Sequence, residues 1–314
     1  MNLKIRPMRK DDLPEADYIM RVAFGTFIGV PEPEKFGEGQ EHVRTRWLAD
    51  PNAAFVAEAD GKVVGSTLAA RWGSFGFFGP LTVHPDFWDK GVAKRLLEPT
   101  MALFEKWGVT SSALFTFAHS PKHLGLYRRF GFWPRSLTLV TSKQVQAGGG
   151  GVAKWSKFSD VPDADKERYL ALCRDVTVSV YSGLDVEPEI LAVGKQGLGD
   201  TVLLWEGETL VGLAVCHCGP GTEGGREMCF VKFGAVRTGP NAGDAFGRLL
   251  TACEELAALK GMKELVAGVN TACEDACKIM MGRGFSDDYH GVLMLRPNEP
   301  AFDKPDRYVI CDLR

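Results

Sequence analysis

A gap-free internal duplication constrains this chain more than any other feature. Residues 83–132 lie over residues 236–285, sharing Val83/Val236, Arg95-Leu96-Leu97/Arg248-Leu249-Leu250, Leu103/Leu256, Gly108/Gly261 and Gly131-Phe132/Gly284-Phe285. These residue types suit a strand end, a buried helix face, a helix stop and a terminal turn, which is what two copies of one fold keep for packing. The copies part where chemistry would be done. Gly91-Val92-Ala93 and Tyr127 in the first stand against Asp244-Ala245-Phe246 and Met280 in the second.

The 314 residues suffice for two α/β domains, each with its own core. Their expected limits are 1–146 and 152–314, linked by the flexible run Gly148-Gly149-Gly150-Gly151. In the first half the pattern predicts a strand at 3–7, a helix from 11 to about 24, a Gly-, Pro- and Glu-rich loop at 25–40, and a helix ending near Asp50-Pro51. Strands follow at 53–58, 63–71 and 75–83, the first two joined at the hairpin pair Asp60-Gly61. Next come a helix at 91–107 with Pro99 inside it and Gly108 as its stop, a strand at 112–118, a short helix at 123–130 and a strand at 133–142. The second half repeats this order, with helices at 163–180, 242–259 and 274–281. Its strands are expected at 201–205, 210–218, 228–236, 264–269, 291–295 and 308–312.

Thirty-seven basic against 40 acidic side chains leave a net charge of −3, which argues against general nucleic-acid binding. No stretch is long and apolar enough to span a bilayer, and the opening residues lack a signal-peptide core, so the chain reads as soluble and cytoplasmic. All eight cysteines lie between Cys173 and Cys311, an asymmetry that suits buried thiols better than a disulfide framework. Strand alternation turns His217 away from Cys216 and Cys218, so this trio is read as packing rather than as a metal site.

The run from Leu81 to Leu97, with Val83-His84-Pro85 and Trp88-Asp89-Lys90-Gly91-Val92-Ala93, followed by Tyr127-Arg128-Arg129-Phe130-Gly131-Phe132, resembles the GNAT superfamily of acyl-CoA-dependent N-acyltransferases. That resemblance implies two tandem GNAT-like domains, each a mixed, mostly antiparallel sheet flanked by helices, with an intact first motif and a degenerate second. The tandem plan is similar to that of mycothiol synthase and a few other double-domain members. The implied co-substrate is acetyl-CoA or another short acyl-CoA, with no metal. Backbone groups of Leu81, Thr82 and Val83 would hold the pantetheine arm. Amides of Gly91, Val92 and Ala93 would hold the pyrophosphate, as the positive end of a helix can.

Trp88 stands where the family usually has Gln or Arg, so Lys90 and Lys94 are the candidate compensating charges. Ser120 takes the place of a family Asn that contacts coenzyme A, and it is equally a helix N-cap. Tyr127 matches the family tyrosine that protonates the departing thiolate. His84, His119 and His123 are candidate bases, and each is also readable as a surface or packing histidine. Glu32, Glu34, Glu38 and Glu41 hint at a cationic acceptor, against the plainer reading of a solvated loop. In the second half Asp244 and Phe246 oppose phosphate binding, and Met280 has no proton to give. The expectation is a transferase moving an acyl group to a small-molecule or peptide amine. The alternatives are an acyl-CoA sensor and an interaction scaffold.

Overall fold

The computed structural model describes residues 2–146 and 154–314. The glycine run expected to link the halves lies outside the described residues. The first half runs β1 (Leu3–Pro7), α1 (Leu13–Ile28), α2 (His42–Ala49), β2 (Ala54–Ala59), β3 (Lys62–Trp72), β4 (Phe75–Val83), α3 (Val92–Trp107), β5 (Ser111–Thr116), α4 (Pro121–Arg128) and β6 (Trp133–Gln144). The second half continues with β7 (Trp155–Lys157), α5 (Lys166–Val180), α6 (Glu187–Gln196), β8 (Gly199–Glu206), β9 (Thr209–Cys218), β10 (Met228–Val236), α7 (Ala242–Leu259), β11 (Glu264–Asn270), α8 (Glu274–Gly282), β12 (Ser286–Arg296) and β13 (Val309–Ile310).

Local sequence accounts for most of these bounds. Asp60 and Gly61 both take positive φ, 49° and 83°, as a two-residue hairpin turn between β2 and β3 requires. α3 buries Val92, Leu96, Leu97, Met101 and Phe104, and stops at Gly108, whose N–H reaches back to the Glu105 carbonyl. Pro99 sits within α3, where it lacks the N–H that would bond to Arg95, yet the helix runs on to Trp107. α6 and β7 were not expected from the sequence. The helix expected at 163 opens with a 3-10 turn, and the last strand is two residues long.

All the strands join one mixed sheet in the order β1-β2-β3-β4-β5-β12-β6-β11-β10-β9-β8-β7, with β13 also on β10. The expected split at 146/152 does not divide this sheet into two self-contained parts. β6, from the first half, lies between β12 and β11, while β12, from the second half, lies between β5 and β6. Each half thus supplies the other's final strand. The apolar core crosses over as well: Trp72, Phe75 and Phe77 share one cluster with Val176, Leu213, Phe233 and Phe302. Burial of each large side chain there contributes roughly 1.5–3 kcal/mol.

A buried ion network closes the junction. The Glu223 carboxylate, fully buried, accepts from Arg46 Nη2 at 2.6 Å and from Lys232 Nζ at 2.6 Å. Lys232 also lies 3.3 Å from Glu189, which accepts from Trp72 Nε1 at 3.0 Å. Burial alone would push the Glu223 pKa up; the charges of Arg46 and Lys232 outweigh it and hold the group well below the usual carboxylate range. Glu223→Ala would leave Arg46 buried without its carboxylate partner and Lys232 with Glu189 alone, so an expected loss of about 3–5 kcal/mol should appear as a lowered urea midpoint. A loss below about 1 kcal/mol would demote the network to the rank of a surface pair.

Candidate active site

The site begins with a bulge. Between Thr67 and Ala69 β3 has one residue, while β4 has two, Gly79 and Pro80, between their partners Leu81 and Phe78. An extra residue bends its strand. β4 therefore pairs with β5 in parallel only from Phe75 to Phe77, and the two then part. His84 N–H bonds to Val64 O, and a Cβ on Gly65 would stand 2.7 Å from Thr82 O, so even-numbered peptide groups here face β3. Those of Leu81 and Val83 therefore face the opening. The peptide of Thr82 does not, contrary to its expected backbone role; Thr82 contributes to the wall with its side chain near Ser66.

A cavity of about 620 Å³ fills the opening, lined by Leu81, Thr82, Val83, Gly91, Val92, Ala93, Lys94 and Tyr127 among others. Gly91 is left-handed, with φ of 76°, and a Cβ there would meet nothing within 4 Å. The bond from Arg95 N–H to Gly91 O closes the first turn of α3, so the amides of Val92, Ala93 and Lys94 precede any acceptor in the helix. They form a positive end at the cavity wall.

The expected cations are only partly in place. Lys94 lines the cavity; Lys90 does not, its Nζ lying 5.0 Å from the Phe87 ring centre. Lys122 and Arg129, which the sequence reading passed over, do line it. Their spacing along α4 and its C-cap was the available signal. Trp88 is a brace: its Nε1 donates to Val83 O at 2.7 Å, and Lys122 Nζ lies 5.9 Å from its ring centre. Ser120 is the N-cap of α4, its Oγ accepting from His123 N–H, and it does not line the cavity.

Tyr127 is buried against Phe78, shares a hydrogen bond with the Thr116 side chain, and borders the cavity. Burial raises its pKa more than that bond lowers it, so the phenol keeps its proton at neutral pH. Of the three histidines, His84 caps a turn through Asp86 N–H and His119 stacks on Phe27, while only His123 lines the cavity. Its Nδ1 is buried without a hydrogen-bond partner. Burial, helped by the charges of Lys122 and His119, pulls its pKa down, which favours the neutral ring. The loop glutamates stand apart: Glu32 pairs with Lys35, Glu38 with Arg226, and none of the four lines the cavity.

The second half repeats the bulge at Lys232 and the parallel pairing of β10 with β11, but its opening is filled. Tyr308 O accepts from Val236 N–H, the counterpart of Val83 N–H, and Cys311 N–H donates to Gly268 O on β11. The chain's own residues 308–311 thus lie as a strand in the gap that the first half leaves open. Tyr308 also packs on Phe246 at the start of α7, and Met280, the counterpart of Tyr127, is fully buried.

The second half's other chemical candidates are packing groups. Cys216 faces the α7 side of the sheet while His217 faces Phe230, as alternation predicts. Burial pushes the Cys173 and Cys273 thiols up to about 12. Among the described residues, no group of three or more His, Cys, Asp or Glu is placed to hold a metal, and no helix is long and apolar enough to cross a membrane.

A splayed parallel strand pair entered by a helix N-terminus, within a mixed sheet flanked by helices, is the architecture of the GNAT acetyltransferases. Residues 19–132 match the model of the acetyltransferase (GNAT) family. A provisionally assigned acetyltransferase from Pyrococcus horikoshii superposes with a TM-score of 0.70 at 14% identity, over 99% of this chain and 95% of that one. A GCN5-related N-acetyltransferase from Sphaerobacter thermophilus gives 0.63 at 15%, over 95% and 96%, and one from Anabaena variabilis 0.53 at 14%, over 94% and 72%. No curated protein sequence matches the chain. The family's domain thus lies in the first half, at residues 19–132, and the chain shares the fold of these proteins over nearly its whole length.

Proposed function

We propose that the first half transfers an acetyl or other short acyl group from acyl-CoA to an amine, and that the second half is non-catalytic. The observation that carries this is the asymmetry of the two openings: one is lined by a free helix N-terminus, free strand peptides and a phenol, and the other is filled by its own chain. In this reading the phosphates lie at Val92–Lys94, within reach of Lys94, Lys122 and Arg129. The pantetheine arm bonds to Leu81 and to Val83 N–H, since Trp88 already engages the Val83 carbonyl.

The amine lone pair attacks the thioester carbonyl, the C–S bond breaks, and Tyr127 gives its proton to the leaving sulfur. The proton lost by the nitrogen passes to neutral His123, directly or through water. The first half has no cysteine, which suits direct attack in a ternary complex.

Steady-state kinetics test the reading. Tyr127→Phe should lower kcat by about 10²- to 10⁴-fold with little change in acetyl-CoA affinity, and His123→Gln should lower kcat/KM and remove its fall at acid pH. That fall lies below about pH 6.5, because the ring's pKa is depressed from its ordinary value. Near-wild-type turnover in Tyr127→Phe would return Tyr127 to a packing role.

A further inference from the structure

The cavity passes from one face of the sheet to the other, and its far end differs from its mouth. One end, called the mouth for its polar groups, has the start of α3, Lys94, Lys122 and Asp89; the other, called the far end, has Ala23, Phe24 and Phe27 of α1, Phe117 beyond β5, and His123. The rings form a continuous wall. Phe27 is 4.7 Å from Phe117 and 4.8 Å from His123, and Phe24 is 6.1 Å from Phe117, centre to centre. Phe36, 5.8 Å from Phe24, extends this wall into the loop between α1 and α2. That loop is held by Arg21, which donates to the carbonyls of Phe36, Gly37 and Gln40, and by the second half, where Thr222 O accepts from Glu41 N–H.

Charge is distributed just as unevenly. The single carboxylate lining the cavity is Asp89, at the mouth and 2.5 Å from Lys122 Nζ. The far end therefore offers an ammonium no anionic partner, which favours the free base that can attack a carbonyl. A second cationic group on the acceptor would find ring faces there but no carboxylate to offset its desolvation, whereas an apolar group would gain by its burial.

We infer that the acceptor is a primary amine bearing an apolar, ring-sized group, aryl or branched alkyl, seated between Phe24, Phe27 and Phe117. The inference rests on the acyl-transfer reading, and its test keeps the two apart by measuring binding separately from turnover. Calorimetry on the full chain loaded with coenzyme A compares three probes: 2-phenylethylamine, spermidine and L-glutamate. 2-Phenylethylamine should bind at least about tenfold more tightly than either of the others. Phe27→Ala should weaken it by about 10- to 100-fold, the range expected for losing one buried aromatic contact, with acetyl-CoA affinity unchanged as the measure of an intact fold. Phe27→Leu should recover part of the loss.

Tighter binding of spermidine or glutamate, no binding of 2-phenylethylamine, or an equal effect of Phe27→Ala on all three amines would overturn the inference. The predicted binding pattern without coenzyme A release from acetyl-CoA would instead overturn acyl transfer and leave the pocket assignment supported.

Discussion

Residues 1–146 expressed alone are expected to aggregate or to associate through exposed strands, and to lack the turnover of the full chain. The reason is the strand exchange. Truncation removes β12 from beside β5 and takes both neighbours, β12 and β11, from β6. One edge of β5 and both edges of β6 then face water, which templates further strand pairing. Trp72, Phe75 and Phe77 lose the second half's side of their cluster, at roughly 1.5–3 kcal/mol each, against a net stability of only about 5–15 kcal/mol for a typical domain. Size-exclusion chromatography with circular dichroism checks this. Co-expressing residues 154–314 should restore a soluble one-to-one complex, because each piece carries the other's missing strand. A monomeric 1–146 fragment with wild-type acetyl-CoA affinity and turnover would show that the first half folds without its partner's strand.

Which parts of this architecture were legible in the sequence follows from what a residue pattern encodes. The duplication was readable because Leu96/Leu249, Leu103/Leu256, Gly108/Gly261 and Phe132/Phe285 each serve local packing or a local turn. The start of α3 at Gly91 was readable for the same reason, although the left-handed backbone that Gly91 takes there was not foreseen. The exchange of β6 and β12 was not, because alternation says which face a side chain takes and is silent on which strand lies alongside. α6 was missed because its first turn is Glu187-Pro188-Glu189 and Gly194 interrupts its last turn, leaving a weak apolar stripe. Residues 308–311 do read as a strand, but nothing local says that they fill the gap between β10 and β11. The aromatic end of the cavity escaped, His123 apart, because Phe24, Phe27 and Phe117 come from α1 and the segment after β5. On α1 alone, Phe24 and Phe27 look like ordinary core.

The second half also has a supporting part in the first. It braces the loop between α1 and α2 through Thr222, anchors α2 through Glu223 and Arg46, and lends β12 to the sheet. Loss of its phosphate turn is therefore compatible with strong retention of its apolar skeleton: Val236, Leu249, Leu250, Leu256 and Phe285 are all buried.

Wild-type protein is expected to bind one acetyl-CoA per chain, and Gly91→Glu to abolish that binding. At Gly91 two effects act together. A non-glycine residue at φ of 76° is strained by about 1–2 kcal/mol, and the new carboxylate would project where a Cβ meets nothing, into the approach to the free amides of Val92, Ala93 and Lys94. Losing two charge-assisted bonds at about 1.5–3 kcal/mol each already corresponds to roughly 10²- to 10⁴-fold in affinity, before repulsion is counted. Gly91→Ala separates the effects, since it keeps the strain without the charge and should weaken binding far less. In the second half the expectation reverses. Asp244→Ala removes the opposing charge from α7 yet should create no second site, because Tyr308 takes the N–H of Val236 and Ile310 pairs with Gly234, the counterparts of Val83 and Leu81. Calorimetric stoichiometry reads all four proteins. Two sites per wild-type chain, or a new site in Asp244→Ala, would mean that residues 308–311 yield to ligand, and the second half would then have to be counted as a binding domain in its own right.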